Sequence, residues 1–408
     1  MSDPLHLFDA FGVELEYMIV DAESLDVRPI ADLVLEKAAG EIISEVELGE
    51  IAWSNELALH VIELKTNGPA ASLDPLPGFF QQHVKQVNEY LQPLGARLLP
   101  TAMHPWMDPH AVKLWPHDYN PIYEAYNRIF DCRGHGWANL QSVHLNLPFC
   151  GDEEFGRLHA AIRLIMPLLP ALAASSPICD GKPSGFLDTR MEVYRTNSRR
   201  IPSLTAAVVP EPIYTEGDYQ RDIFEKMYAD IEPHDPEGIL QFPFLNARGA
   251  IARFDRGAIE IRVLDIQECP AADLAILQAI VATLQAIVSE KWTPLAEQQL
   301  VGTMPLSQIF LESIRTADAT HLEDAVLLRQ FGWNAAHRPT AAELWRHILA
   351  ELNLTPAKES PLDVILTEGP LARRILHRVG HDLTHLKSVY GELAECLSQG
   401  TMFRRQPA

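Results

Sequence analysis

The first residues with chemical potential are two glutamates in the segment GVELE, Glu14 and Glu16. Residues 11–20 alternate in character and are predicted to form a strand, in which alternate side chains share a face about 7 Å apart. Two neighbouring carboxylates repel each other, and a divalent cation such as Mg²⁺ or Mn²⁺, which prefers oxygen ligands, relieves that repulsion. The alternative interpretation is a solvated strand face with two surface glutamates.

A second pair of glutamates lies at Glu56 and Glu63. Glu63 ends an apolar run at 57–64 that is predicted to be a strand, and burying it without a partner would cost several kcal/mol. Glu56 is seven residues earlier and falls on the opposite face of a regular strand. It reaches the same site only from a bulge or from the preceding turn, and is otherwise a surface residue.

Two further predicted strands carry polar side chains on one face. His144 and Asn146 alternate with apolar residues in 142–147, and Glu260 and Arg262 do so in 258–264. A lone strand histidine is commonly a hydrogen-bonded structural residue, and a Glu–Arg pair is commonly a cross-strand ion pair. Each segment is therefore weak evidence when it is taken separately.

Together the four strands predict one carboxylate-rich face that binds two or more divalent ions. Arg262 adds the positive charge that phosphoryl transfer requires. The sequence contains no Walker A, Rossmann, HExxH or GxSxG motif, so any nucleotide chemistry uses another arrangement. The expected metal ligands are Glu14, Glu16, Glu56, Glu63, His144 and Glu260.

These residues need a sheet to position them. Short strand patterns dominate the first part of the chain, and a helical pattern at 154–172 is expected to break at Pro167. Residues 175–200 are predicted to be a polar loop, and helical periodicity dominates from Ala271. We therefore predict an α+β fold in which an antiparallel sheet carries the site on a concave face and helices pack behind it. Residues 1–270 would form the catalytic domain, and 271–408 a helical region packed on it.

Composition limits the partners. The 408 residues include 33 basic and 55 acidic side chains, a formal charge of −22. Such a charge repels phosphate backbones and anionic lipid, so neither nucleic acid nor a membrane is an expected partner. The five cysteines are scattered and form no CxxC pair, and no export signal or membrane span is recognised, which favours a cytoplasmic protein with reduced thiols.

The four strand segments resemble the glutamate–cysteine ligase family, within the glutamine synthetase-like group of carboxylate–amine ligases. The resemblance covers about 11–270 and is carried by GVELE at 12–16, by the spacing of the second glutamate pair, by VHLN at 143–146 and by EIR at 260–262. A Ser-Ser-Pro turn at 175–177 and the pairs Arg190-Met191 and Thr196-Asn197 support it.

The resemblance implies roles for individual residues. One metal ion would be held by Glu16, Glu56 and Glu63, and a second by Glu14, His144 and Glu260, with both ions bridging ATP phosphates. Arg262 would stabilise the transferring phosphoryl group, and Arg190 would bind a substrate carboxylate or the phosphorylated intermediate. Further substrate or nucleotide contacts are expected from Asn146, Arg128, Tyr126 and Asn197, although aromatic residues at such spacing commonly pack in a core.

The implied reaction is ATP-dependent formation of γ-glutamyl phosphate followed by attack of an amine. The expected partners are ATP, an amino-acid carboxylate such as glutamate and an amine acceptor, with homo-oligomerisation and the identity of the amine left open. Two alternatives remain: a guanidino kinase-type phosphotransferase on the same metal site, and a non-catalytic nucleotide- or metal-binding protein that retains the fold.

Overall fold

The computed structural model describes residues 4–405 and is a mixed α+β structure. The strands are β1 (Gly12–Asp21), β2 (Glu45–Leu48), β3 (Ile51–Asn55), β4 (Val61–Thr66), β5 (Ala96–Leu99), β6 (Ser142–Pro148), β7 (Ile178–Cys179), β8 (Lys182–Pro183), β9 (Ala250–Arg253) and β10 (Ala258–Asp265). The helices are α1 (Ala31–Ala39), α2 (Leu76–Leu91), α3 (Asn120–Phe130), α4 (His135–Ala138), α5 (Gly151–Ile165), α6 (Pro170–Ala173), α7 (Thr189–Tyr194), α8 (Glu216–Tyr219), α9 (Glu225–Ile231), α10 (Pro270–Val288), α11 (Leu295–Gln299), α12 (Thr303–Thr316), α13 (Ala325–Arg329), α14 (Ala341–Glu351), α15 (Pro361–Glu368), α16 (Leu371–Val379) and α17 (Leu386–Gln399).

An eight-stranded antiparallel sheet forms the centre of the fold. Its order is β2-β3-β4-β1-β6-β10-β9, and β5 pairs with β1 outside this path. One edge of β1 carries β4, while its other edge carries β6 along Gly12–Leu15 and β5 along Met18–Asp21. Glu16 therefore lies where β6 and β5 diverge. The antiparallel sheet with helices predicted from the sequence is confirmed.

Period-two alternation gives this sheet one apolar face. In β1, Val13, Leu15 and Tyr17 are completely buried, and in β6 Leu145 and Leu147 are as well. They pack in one continuous core with apolar residues of α2, α5 and α10. Because successive side chains of a strand point to opposite faces, the same segments present their charged residues on the other face.

The core continues beyond residue 270. α10 packs against α2 and α5, and its apolar residues are buried nearly all round. α10 is long and apolar enough to cross a membrane by composition alone, yet its burial in the core accounts for that hydropathy. The division into 1–270 and 271–408 stays a prediction.

Two local expectations need correction, and one is confirmed. The polar loop expected at 175–200 contains the β7–β8 hairpin and α7, and Asp188, whose side chain accepts from the Met191 N–H, caps that helix. The strand expected from residue 57 begins only at Val61, because 56–60 form the connection from β3 to β4. The helix after residue 151 does break near Pro167, where a 3₁₀ turn separates α5 from α6.

Buried neutral histidines make the fold sensitive to acid. Burial, followed by the charge of Arg163, lowers the pKa of His159, in α5, from 6.5 to about 3. In the unfolded chain this imidazole takes up a proton near pH 6.5, whereas in the folded protein it stays neutral. The folded protein therefore has its full stability above pH 6.5 and loses stability as the pH falls towards the pKa of the folded state. His60 and His104 act in the same direction.

Replacing His159 by phenylalanine should therefore reduce the acid sensitivity. His159 lies nearly parallel to Phe155, with ring centroids 5.2 Å apart, and an aromatic replacement keeps most of that packing. Between pH 7 and pH 5 the wild-type protein should lose about 2 kcal/mol more unfolding free energy than His159→Phe, measured by urea denaturation. The exposed His377, replaced by glutamine, should show the wild-type pH dependence. Equal pH dependence of His159→Phe and wild type would contradict this assignment.

Candidate active site

Cross-strand pairing brings two glutamates face to face on the polar side of the sheet. Glu16 of β1 lies opposite Glu63 of β4, and Ser54 of β3 lies opposite Glu63 on the other side. The Ser54 hydroxyl donates to Glu63 at 2.6 Å, and the backbone N–H of Ser142 donates to Glu16 at 2.7 Å. Both carboxylates are almost completely buried. The partners that the burial of Glu63 requires are Ser54 and Lys65, whose Nζ lies 3.4 Å from Glu63 Oε1.

A second row runs beside the first. Glu14 lies opposite His144 of β6 and opposite Lys65 of β4. His144 Nδ1 donates to Glu14 Oε2 at 2.6 Å, and the Asn146 side-chain amide donates to Glu14 Oε1 at 3.0 Å. Glu260 of β10 lies opposite Asn146 and completes the row.

A bulge in β10 positions Arg262. The pairing of β10 with β6 shifts between Ile261 and Leu264, so two residues of β10 face the single residue His144. Arg262 Nε lies 3.2 Å from Glu260 Oε1. The strand alternation placed the two side chains on one face, but the bulge was not visible in the sequence.

Two groups of potential metal ligands result, and they share one residue. The first contains Glu14, His144 and Glu260, and the second Glu16, Glu63 and His144; within each group the ligand atoms lie within 4.8 Å of one another. The first is the ligand set expected for one metal ion. The second differs from the expected set, because His144 takes the place predicted for Glu56.

Glu56 lies beside the second group, in the connection between β3 and β4. Burial, followed by the charges of Glu16 and Glu63, raises the pKa of Glu56 well above its usual range. Its carboxylate has no hydrogen bond or ion pair with any residue of 4–405. Glu56 approaches the site from the turn before β4, which is one of the two positions considered from the sequence. The role of Glu56 as a metal ligand stays a prediction.

The charge balance of this face fits a bound cation. Five carboxylates meet two permanently charged cations, Lys65 and Arg262. Burial alone would lower the pKa of His144, but its hydrogen bond with Glu14 and the neighbouring carboxylate charges raise it to about 9, so it adds a third positive charge that still leaves an acidic excess. Burial, followed by the charge of Glu14, raises the pKa of Glu63 to about 7. Burial alone would raise the pKa of Glu14 as well, but His144 and the two cations lower it to about 2. Carboxylate oxygens with one imidazole are a donor set suited to Mg²⁺ or Mn²⁺, so the residues present fit the expected metal.

Arg190 extends into the site from α7, and a buried carboxylate fixes the position of its guanidinium. Its Nε donates to Asp265 Oδ1 at 2.6 Å, and Asp265 Oδ2 in turn accepts from the Ser175 N–H and the Ser176 hydroxyl. The guanidinium is almost completely buried and its remaining nitrogens approach the Arg262 carbonyl at 3.3 and 3.4 Å. Asp265 was not predicted as a positioning residue. Its position as a charged residue at the end of the apolar strand β10 could have indicated it.

Two cavities flank the ligand groups. The inner cavity, of about 380 Å³, is bordered by Glu16, Glu56, Arg190 and Arg262. The edge cavity, of about 370 Å³, lies on the other side of the ligand groups and is bordered by Glu14, Asn146, Lys65 and Arg256. Aromatic side chains line much of the inner cavity: Tyr119, Tyr123, Tyr126, Trp137, Tyr194 and Phe244.

The remaining predicted contacts divide between these cavities, with one exception. Tyr126 and Asn197 line the inner cavity, and Asn146 lines the edge cavity. Arg128 is exposed on α3 and borders neither cavity. It follows Tyr126 by two residues, which is about 200° around a helix, so the two side chains point to opposite sides. Arg128 therefore lies outside both cavities, and its role as a substrate contact stays a prediction.

A further group of His135, Cys179 and Asp180 lies apart, at a third cavity. The Asn139 side-chain oxygen accepts from the His104 N–H, which fixes its amide so that Nδ2 donates to His135 Nδ1. His135 therefore carries its proton on Nε2, directed at Asp180 at 3.1 Å. This arrangement is a hydrogen-bonded His135–Asp180 pair.

Comparison with known proteins agrees with this geometry. The profile of the glutamate–cysteine ligase family 2 matches residues 10–389. The chain belongs to this family. An uncharacterised protein of Archaeoglobus fulgidus is 38% identical over 279 residues, which cover 68% of this chain and 75% of that relative. A Corynebacterium glutamicum protein provisionally named glutamate–cysteine ligase 2 is 26% identical over 288 residues, covering 68% of this chain and 66% of the relative.

A solved structure shares the family fold. The glutamate–cysteine ligase of Francisella tularensis in complex with AMP aligns over 99% of this chain and 91% of its own, with a TM-score of 0.57 and 15% identity. At this identity the likeness shows the fold. The resemblance inferred from the four strand segments is confirmed, and family membership supports a carboxylate–amine ligase as the class of protein.

Proposed function

We propose that the protein catalyses ATP-dependent ligation of glutamate to an amine through a γ-glutamyl phosphate intermediate. The observation that carries this proposal is the pair of ligand groups that share His144 and lie between two cavities. A ligase of this kind must bind a nucleotide and a carboxylate close to bound metal, and the two cavities offer a separate place for each. Family membership supports the same class of reaction.

The edge cavity is the better place for ATP. Lys65 and Arg256 border it and supply positive charge for phosphates. The group of Glu14, His144 and Glu260 lies at its inner boundary and would hold one Mg²⁺ or Mn²⁺ ion. Bound there, the metal supplies charge neutralisation and polarisation at the phosphoryl oxygens.

The inner cavity is the better place for glutamate. Arg190, oriented by Asp265, offers its terminal guanidinium nitrogens to the α-carboxylate. Arg262 lies between the cavity and Glu260, where it can stabilise the phosphoryl group as it moves. Glu16 and Glu63, with Glu56 beside them, would hold the second ion near the γ-carboxylate.

The reaction then proceeds in two steps. A γ-carboxylate oxygen attacks the terminal phosphorus of ATP, the bond to the bridging oxygen breaks, and ADP leaves. The amine nitrogen next attacks the acyl carbon, inorganic phosphate departs with the bonding electrons, and the amine loses a proton. Phosphorylation is required because a free carboxylate is a poor electrophile.

Hydroxylamine as a small acceptor provides the test. With Mg²⁺, ATP, glutamate and hydroxylamine, we expect ADP and γ-glutamyl hydroxamate in equal amounts, measured by a coupled ADP assay and by the colour of the iron complex. Omitting either glutamate or the metal ion should remove both products. Aspartate, whose carboxylate is one methylene shorter, is the matched control and should react much more slowly.

The alternatives predict different outcomes. ADP formation without any carboxylate would favour a phosphotransferase and contradict the proposal. Calorimetric binding of Mg²⁺–ATP with no product would favour a non-catalytic protein that retains the fold, and would also contradict it.

A further inference from the structure

The inner cavity has few positive charges. Of residues 4–405, those that line it include two arginines, Arg190 and Arg262, and no lysine. Under the proposed function, Arg190 serves the α-carboxylate of glutamate and Arg262 serves the phosphoryl group. A second amino acid in the same cavity would bring a third anionic group, and an anion removed from water without a cationic partner is strongly disfavoured.

Three neutral polar side chains of the wall are hydrogen-bonded within the protein. The Asn197 side-chain amide already donates to the Gly136 carbonyl at 3.0 Å, and Trp137 Nε1 donates to the Asn197 carbonyl at 3.2 Å. The Ser198 hydroxyl donates to Asn197 Oδ1 at 3.1 Å. These hydrogen bonds stabilise the packing of α4 against the segment that follows α7, and they use the Trp137 indole N–H, the Ser198 hydroxyl and one of the two amide hydrogens of Asn197.

Apolar and aromatic side chains form another part of the wall. Trp137 packs between Tyr126 and Phe130, with ring centroids at 5.2 and 5.4 Å. Ile122 lies one turn before Tyr126 on α3 and also borders the cavity. Tyr119 lines the cavity while 58% of its surface remains exposed, which places an aromatic side chain at the opening. Such a surface binds an apolar or aromatic group well.

We infer that the amine acceptor is a primary amine that carries an apolar or aromatic group and no carboxylate. This inference rests on the proposed function and adds the substrate class of its second step. An α-amino acid, cysteine included, would place its carboxylate against a wall without a free cation. An arylalkyl amine would instead bury its ring against Trp137 and present its nitrogen towards the metal-binding face.

Matched pairs of amines and amino acids test the inference. Tyramine is compared with tyrosine, phenethylamine with phenylalanine, and cysteamine with cysteine, each as acceptor with saturating Mg²⁺–ATP and glutamate. We expect kcat/KM for the amine to exceed that for its amino acid by at least about tenfold in each pair, since the two differ only in the carboxylate. Tyramine and phenethylamine should also exceed cysteamine. A preference for the amino acid in any pair would overturn the inference.

The hydroxylamine assay separates this inference from the proposed function. Hydroxamate formation together with preference for amino acids would overturn only the inference about the acceptor. Absence of hydroxamate and of any amide product would overturn both.

A charge added to the wall gives an independent test. Ile122 is half-buried on α3, where a long side chain can reach the cavity. Ile122→Arg should lower the tyramine-to-tyrosine ratio of kcat/KM by about tenfold, because it supplies a cation for the carboxylate. Ile122→Gln is the matched control of similar polarity without charge, and its ratio should remain that of the wild type. An unchanged ratio in a folded Ile122→Arg protein would contradict the assignment.

Discussion

Replacing Glu63 by glutamine is expected to reduce glutamate-dependent ADP formation by more than about a hundredfold while the fold remains intact. Glu63 lies opposite Glu16 and belongs to the second ligand group. Glutamine therefore replaces a negatively charged carboxylate ligand of the metal ion by a neutral amide. Loss of groups that only orient metal ligands already costs about 10–100-fold, so loss of a ligand should cost more. The amide oxygen can still accept the Ser54 hydrogen bond, and the change removes repulsion with neighbouring carboxylates.

Three measurements separate a metal role from a structural one. Calorimetry should show weaker Mn²⁺ binding to Glu63→Gln, and its urea denaturation should show unfolding free energy equal to or above that of wild type. Glu47→Gln, on the exposed side of β2, is the matched control and should keep activity and metal binding. Activity within a few-fold of wild type in Glu63→Gln would refute the metal assignment.

Replacing Glu268 by alanine is expected to destabilise the protein by about 3–5 kcal/mol. Glu268 forms an ion pair with Arg374, and both side chains are completely buried. Arg374 also donates to the carbonyl groups of Gly369 and Phe403, and the Phe403 N–H donates to Glu268 at 3.3 Å. Removing one partner leaves an uncompensated charge in the interior and releases the C-terminal segment that it anchors.

Urea denaturation measures this loss, and limited trypsin digestion after Arg404 or Arg405 measures release of the C-terminal segment. Arg97→Ala breaks an exposed ion pair with Glu395 and should cost less than about 1 kcal/mol. The double variant Glu268→Leu/Arg374→Met removes both charges and should recover much of the loss. If Glu268→Ala lost no more unfolding free energy than Arg97→Ala, the Glu268–Arg374 pair would not stabilise the fold as expected.

Strand periodicity was enough to predict which side chains share a face. The alternation in β1, β6 and β10 placed Glu14, His144 and Glu260 on the polar side, and the structure brings all three together. Lys65 and Ser142 follow the same alternation, two residues from Glu63 and His144, and could have been included.

What the sequence lacked was the register between strands and the direction of helices. The pairing of Glu16 with Glu63 depends on how β4 slides along β1, and a shift of one residue would have sent every side chain to the other face. The bulge at Arg262 likewise arises from pairing with β6. The segment of Arg128 was not assigned as a helix from the sequence, and in a helix the side chains of Tyr126 and Arg128 diverge.

One imidazole connects the two halves of the site. His144 directs Nδ1 towards Glu14 and Glu260, and Nε2 towards Glu16 and the Ser142 hydroxyl. Because the ring is rigid, any rotation that improves contacts on the edge-cavity side also displaces the nitrogen on the inner-cavity side. The positions of the ligand atoms in the two groups are therefore linked through this one side chain.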